Sequence, residues 1–154
     1  MESKVKVLFL CKGDSARGQM AEGFLNTEAG DSFLGVSAAT TPTAPNPLAV
    51  EVMEEVGIDI SGEKSKTIPE IFKEHFAYVV GIYNTAKERP PVFPFTYRVF
   101  QWSLEDPASG DGPHEKQASD FRHVRDRIND NVHEFLKIAS GDITQHLVPG
   151  RAAR

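Results

Sequence analysis

A single cysteine, Cys11, stands in a chain of 154 residues. That scarcity excludes an intramolecular disulfide and any multi-thiolate metal site, and in a reducing compartment it leaves the thiol either inert or catalytic. Positive charge is scarce too. The 17 Lys and Arg residues face 22 Asp and Glu, a formal net charge of −5, which argues against nucleic acid or an anionic membrane as partner, because either selects a basic face. Any anion site is therefore local. No apolar run approaches the roughly 20 residues that span a bilayer. The opening MESKVKV leads straight into apolar sequence with no secretory pattern, so a cytoplasmic protein is expected. There is no internal repeat. The five histidines, His75, His114, His123, His133 and His146, lack metal-ligand spacing with carboxylates, and no metal or cofactor is expected.

What the chain does contain is concentrated in residues 5–24, VKVLFLCKGDSARGQMAEGF. Val5, Val7, Leu8, Phe9 and Leu10 form a near-continuous apolar run, the pattern of a strand covered on both faces in a parallel sheet. Glycine and small polar residues break that run. From Arg17 onward Met20, Ala21, Phe24 and Leu25 recur at helical spacing, and Gly30 is predicted to end the helix in a left-handed turn. A loop feeding a helix N-terminus gathers unpaired backbone N–H groups and the positive end of the helix dipole, which suits an anion. Cys11 opens this loop and Arg17 closes it. A thiol there should ionise below its free value of about 8.5, and a guanidinium six residues on can grip a tetrahedral oxyanion bidentately. On the residues alone two readings stay open. The pair is a nucleophile and its clamp, or it is a small core side chain followed by a solvated arginine; Gly13 and Ser15 between strand and helix favour the first.

Farther along, residues 33–38 (FLGVSA) read as a second strand with Ser37 near its carboxyl end, where open parallel sheets place ligands. A proline-rich connection, residues 40–47, follows. Residues 47–56 carry Leu48, Val52, Met53 and Val56 on one face with Gly57 as a stop signal. Residues 58–65 read as extended, and residues 68–76 as a short helix beginning around Pro69. Residues 76–83 (FAYVVGIY) predict a third buried strand, residues 85–94 a proline-broken loop, and residues 97–102 (YRVFQW) a fourth strand. Asp106 and Pro107 then suggest a turn, and residues 109–113 (SGDGP) a flexible insertion. A long helix is predicted from Ser119 to a stop at Gly141, with Arg122, Arg125, Asp126, Arg127, Asp130 and Glu134 on a solvated face. One domain over residues 1–140 and a disordered tail over 141–154 are expected. Four buried strands alternating with helices imply an α/β, three-layer flavodoxin-like domain with a four-stranded parallel sheet.

The loop from Cys11 to Arg17, with residues 19–23, resembles the C-x5-R phosphate loop of the low-molecular-weight protein tyrosine phosphatase superfamily, specifically its arsenate reductase branch. The likeness continues through residues 46–65 (NPLAVEVMEEVGIDISGEKS) and 102–108 (WSLEDPA). It implies an oxyanion loop of Lys12, Gly13, Asp14, Ser15, Ala16 and Arg17, with Cys11 as nucleophile and Asp106 as the acid that protonates a leaving oxygen. It also implies that Ser37 and Gly18 support the loop. In thioredoxin-coupled members two further cysteines relay a disulfide; alignment places Tyr83 and Pro90 at those positions, so the relay is absent here.

Three functions follow from the resemblance. The first is arsenate reduction through a Cys11 adduct, with a small thiol, a glutaredoxin-like protein or mycothiol as outside reductant. The second is hydrolysis of phosphate monoesters through a cysteinyl-phosphate. The loop composition CKGDSAR, and the lack of an aromatic after Asp106 and Pro107, resemble the reductases more than the phosphatases. The third is a non-catalytic oxyanion-binding protein, because Asp14 stands where the family has asparagine and Gly18 where it has serine.

Overall fold

The computed structural model describes residues 4–11, 16–39, 44–71, 73–84 and 98–147, with the backbone alone at residue 68 and residues 142–147. Four strands, β1 (Val5–Cys11), β2 (Phe33–Ala39), β3 (Tyr78–Tyr83) and β4 (Arg98–Ser103), make one parallel sheet in the order β2-β1-β3-β4. The first strand is central because its residues are apolar on both faces. Val7, Phe9 and Cys11 point into one core, while Leu8 and Leu10 point into the other. The chain runs outward from β1 in both directions, so the connections after β1 and β3 diverge at its carboxyl end. That is where a doubly wound sheet opens a crevice.

The larger core lies under α1 (Ala16–Ala29) and α4 (His114–Leu147). Phe121, Val124, Ile128, Val132 and Phe135 of α4 form the predicted stripe and are buried. Phe135 meets Tyr78 and Phe100 edge-on with ring centroids 5.2 Å away in each case. Helix α2 (Pro47–Glu54) closes this layer. Asn46 caps it by accepting from the Leu48 N–H at 2.9 Å. Gly57, at φ +81°, ends the turn with bonds from Gly57 N–H to Glu54 and Ile58 N–H to Met53, the pair that defines a Schellman stop. The second face of the sheet buries Leu8, Leu10, Val36, Ala38 and Val79 against Ile71 and Phe76.

Several expectations change. Gly30 is not left-handed; a Cβ there would stand 2.3 Å from the Asn26 carbonyl oxygen, so glycine is required by close approach. The short helix α3 spans only Ile68–Ile71, held by a capping box in which Thr67 and Glu70 bond each other's N–H groups. Phe76 lies outside it, buried in a loop. Strand β4 is an exposed edge rather than a buried strand, with Arg98 over the Phe100 ring. Helix α4 starts five residues before Ser119 and passes through Gly141, because a single glycine with nothing within 4 Å of its Cβ position costs a helix only about 1 kcal/mol. Arg125, expected on a solvated face, is buried. The loop at 85–94 and residues 148–154 of the expected tail lie outside the described residues.

Candidate active site

Cys11 is the last residue of β1, 2% exposed, and the first turn of α1 folds directly over it. A Cβ on Gly18 would lie 3.3 Å from Cys11 Sγ and 3.4 Å from Ser37 Cβ. Gly18 therefore lets helix, thiol and β2 meet at one point, and any side chain there would crowd the sulfur. Ser37 is the register neighbour of Phe9 on β2 and is also buried.

Arg17 is fully buried. Its Nη1 donates to the Leu104 carbonyl at 2.9 Å. Leu104 follows β4, and its N–H donates to Tyr83 at 2.8 Å, so one guanidinium joins the helix after Cys11 to the chain ends beyond β3 and β4. Two residues later Asp106 caps the 3-10 helix η1 (Pro107–Ser109), its Oδ1 accepting from the Ala108 N–H at 2.9 Å. The expected turn is real, and it fixes the orientation of the carboxyl. Tyr83 ends β3 one residue past Ile82, the cross-strand partner of Cys11. Ala16 is buried at the start of α1, whereas Lys12, Gly13, Asp14, Ser15 and Pro90 lie outside the described residues.

Beneath this site lies a polar cluster that the sequence reading missed. Residues 58–66 run along α1 and the free edge of β2, where Lys66 N–H donates to the Ser37 carbonyl at 2.9 Å and Ala39 N–H to the Lys66 carbonyl at 3.2 Å. This covers an edge that would otherwise be open. The same run sets Ser65 Oγ 3.0 Å from Gln19 Nε2 and brings Glu63 to Glu22. Ser37 Oγ donates to Glu22 Oε2 at 3.3 Å. Desolvation raises the Glu22 carboxyl; desolvation first, then the charge of Glu22, push Glu63 up to about 9. The signal in the sequence was the composition of α1. Its first ten residues are apolar, small or buried almost all round, so a carboxylate between Ala21 and Gly23 has little access to water.

Glu51, Glu105 and Glu28 pair with His114, His123 and His133 on the surface. Among the described residues no group of three or more His, Cys, Asp or Glu could hold a metal ion, and no helix is long and apolar enough to cross a membrane.

The profile of the low molecular weight phosphotyrosine protein phosphatases matches residues 6–145. The chain belongs to that family. Within it, the chain is 37% identical to an arsenate reductase of Bacillus subtilis (strain 168) over 137 residues, 89% of this chain and 98% of the relative. A solved arsenate reductase in the phosphate binding state superimposes with a TM-score of 0.73 at 32% identity, over 86% of this chain and 97% of that one. A low molecular weight protein tyrosine phosphatase from T. tengcongensis superimposes with a TM-score of 0.67 at 21% identity, over 87% of this chain and 99% of that one. That likeness shows a shared fold. This phosphatase-family chain places Cys11, Arg17 and the Asp106–Pro107 step at the carboxyl edge of the sheet.

Proposed function

We propose that this chain is an arsenate reductase that draws its electrons from an external thiol. The observation that carries the reading is the convergence on one edge of the sheet of a buried thiol, a helix N-terminal turn packed onto it and a buried guanidinium. Relatives at more than a third identity over nearly their full length are arsenate reductases, which favours arsenate over a phosphate monoester. The Cys11 thiolate attacks arsenic, an S–As bond forms, and one arsenate oxygen leaves as water after taking a proton from Asp106. Arg17 and the loop N–H groups hold the remaining oxygens. A thiol RSH then attacks the Cys11 sulfur; the S–As pair passes to arsenic, which leaves as arsenite, and Cys11 and R are joined by a disulfide. A second RSH restores Cys11, so two thiols are oxidised to one disulfide per arsenate. With tyrosine at position 83 and proline at 90, and one cysteine in the whole chain, no internal disulfide can store the oxidation. The reductant is accordingly a small thiol assisted by a glutaredoxin-like protein, and the working compartment a reducing cytoplasm.

The test is arsenate reduction with glutathione and a glutaredoxin, with a mycothiol system, and with thioredoxin alone, run beside aryl-phosphate hydrolysis. Repeated turnover should need the small thiol, and intact mass should show one thiol adduct at Cys11. Cys11→Ser should abolish turnover and keep arsenate binding, whereas Arg17→Ala should weaken both. Sustained cycling on thioredoxin alone would overturn the external-thiol reading. Phosphate-ester hydrolysis without arsenate reduction would make the chain a phosphatase, and neither activity a binding protein.

A further inference from the structure

We propose that Gln19 and Ser65 are positioning residues: their hydrogen bond braces the first turn of α1, so that its N–H groups and Arg17 stay aimed at an oxyanion beside Cys11. Gln19 Nε2 donates to Ser65 Oγ at 3.0 Å, and both side chains are buried. Two polar side chains enclosed at this depth cost more to bury than an apolar pair of the same size. What they add is one defined geometry.

Position 19 gives the bond its leverage. Successive helical residues are about 100° apart, so Arg17 and Gln19 project from nearly opposite sides of the turn. On one side Arg17 Nη1 donates to the Leu104 carbonyl at 2.9 Å, which ties the turn to the chain beyond β4. On the other side Gln19 ties it to the segment of residues 58–66. Gly18 lies between the two ties, where a Cβ would stand 3.3 Å from Cys11 Sγ. A tilt of the turn therefore changes the approach of the helix backbone to the sulfur.

The far end of the brace is anchored beside the same sulfur. Ser65 precedes Lys66, whose N–H donates to the Ser37 carbonyl at 2.9 Å and whose carbonyl accepts from the Ala39 N–H at 3.2 Å. Ala39 is the cross-strand partner of Cys11. The contacts close a ring that runs from Cys11 through Ala39, Lys66, Ser65, Gln19 and Gly18 back to the thiol. Without the Gln19–Ser65 bond the ring is open, and only the Arg17 side of the turn keeps its tie.

This inference rests on the reading of the loop as an oxyanion site with Cys11 as its thiolate, but its test needs no turnover. Ser65→Ala, Gln19→Met and the double variant are compared in the full chain, with inorganic phosphate as the probe. Each single change should weaken phosphate binding by about three- to tenfold, the equilibrium worth of one hydrogen bond. Each should also raise the midpoint of the thiolate ultraviolet absorbance, which one cysteine supplies, by about half a pH unit. The double variant should match the singles, because the same bond is lost in all three. Single changes that lower Tm and leave both readouts at the wild-type values would reduce the bond to packing and overturn the proposal. Effects that add in the double variant would overturn it as well, since the two side chains would then act separately. Should a variant fail to fold, the wild type decides: the Gln19 side-chain amide resonances should shift as phosphate fills the loop, and resonances that stay fixed sink the idea. Phosphate binding and thiolate titrations that respond as stated, without arsenate reduction by the wild type, would defeat the proposed function and leave this inference standing.

Discussion

Gly18 shows how a missing side chain shapes reactivity at the scale of one residue. The family pattern puts a serine at this position to donate to the thiolate, and here a Cβ would approach Sγ to 3.3 Å, closer than sulfur and carbon normally pack. A hydroxyl restored at this point brings both a hydrogen bond and crowding, which act oppositely on the thiol. Alanine separates the two. Gly18→Ala should raise the Cys11 pKa slightly through crowding and lost hydration, and Gly18→Ser should titrate about one pH unit below Gly18→Ala, since a bond to a charged acceptor is worth about 1.5–3 kcal/mol. Matching midpoints for the two variants would mean that the hydroxyl does not reach the sulfur. Asp106 raises a parallel point, because its carboxyl caps η1 and is the same group proposed above as proton donor. Asp106→Asn keeps the cap geometry and loses the acid. It should slow aryl-phosphate hydrolysis by about 10²–10⁴, most for poor leaving groups; a loss equal across leaving groups would leave Asp106 only the cap.

Between elements, the joint of α4 with α2 depends on a residue whose pattern was misleading. Arg125 lies on the charged side of the helical repeat. Its neighbours on α2 nevertheless bury it, with Nη1 bonded to the Val52 carbonyl at 2.9 Å and to Glu55 Oε1 at 2.8 Å. Arg122 makes three contacts of 2.9 to 3.1 Å to the same carboxylate from the surface, and these bonds hold Glu55 below the usual carboxylate range. Arg125→Ala should destabilise by about 1–3 kcal/mol, because it leaves a buried carbonyl unpaired, and lower Tm by roughly 2–4 °C per kcal/mol for a chain of this size. Arg122→Ala should cost clearly less than Arg125→Ala, because its ion pair is screened by solvent. Equal losses, read by thermal melts, would contradict the assignment. The same contrast explains what was legible in the sequence. Strands β1 and β3 declare themselves because both faces are apolar, and the placing of Cys11 at the end of β1 and Arg17 at the start of α1 because the apolar run stops and helical spacing begins between them. The exposed edge β4 and the buried Arg125 depend on which elements end up as neighbours. Glu22 and Glu63 are 41 positions apart, and only the fold of residues 58–66 onto β2 makes them a pair.

For the whole molecule, opposed carboxyl environments set the pH at which the fold is firmest. Hydrogen bonds from Lys66 and Lys6 hold Glu74 below its ordinary value, and bonds at Ser61 and Thr67 do the same for Asp59 and Glu70. Each contributes stability that is present above the unfolded value near 4 and is lost as pH falls through the depressed one. Glu63 has the opposite sign. The folded chain keeps a proton up to about 9 that the unfolded chain releases near 4.5, so across that window the unfolded state binds fewer protons and stability declines as pH rises. The two limbs meet in mildly acid solution, which is where Tm should peak, about pH 5. Glu63→Gln removes the titrating group but keeps a neutral hydrogen-bonding side chain of the same shape, so it should flatten the alkaline limb and leave the acid limb intact. Glu74→Gln should weaken the acid limb alone. Calorimetric melts from about pH 3 to about pH 10 measure both. A wild-type Tm that stays level between about pH 5 and pH 8 would show that Glu63 is already ionised in the folded protein, and an alkaline decline that survives Glu63→Gln would assign the titration to another group.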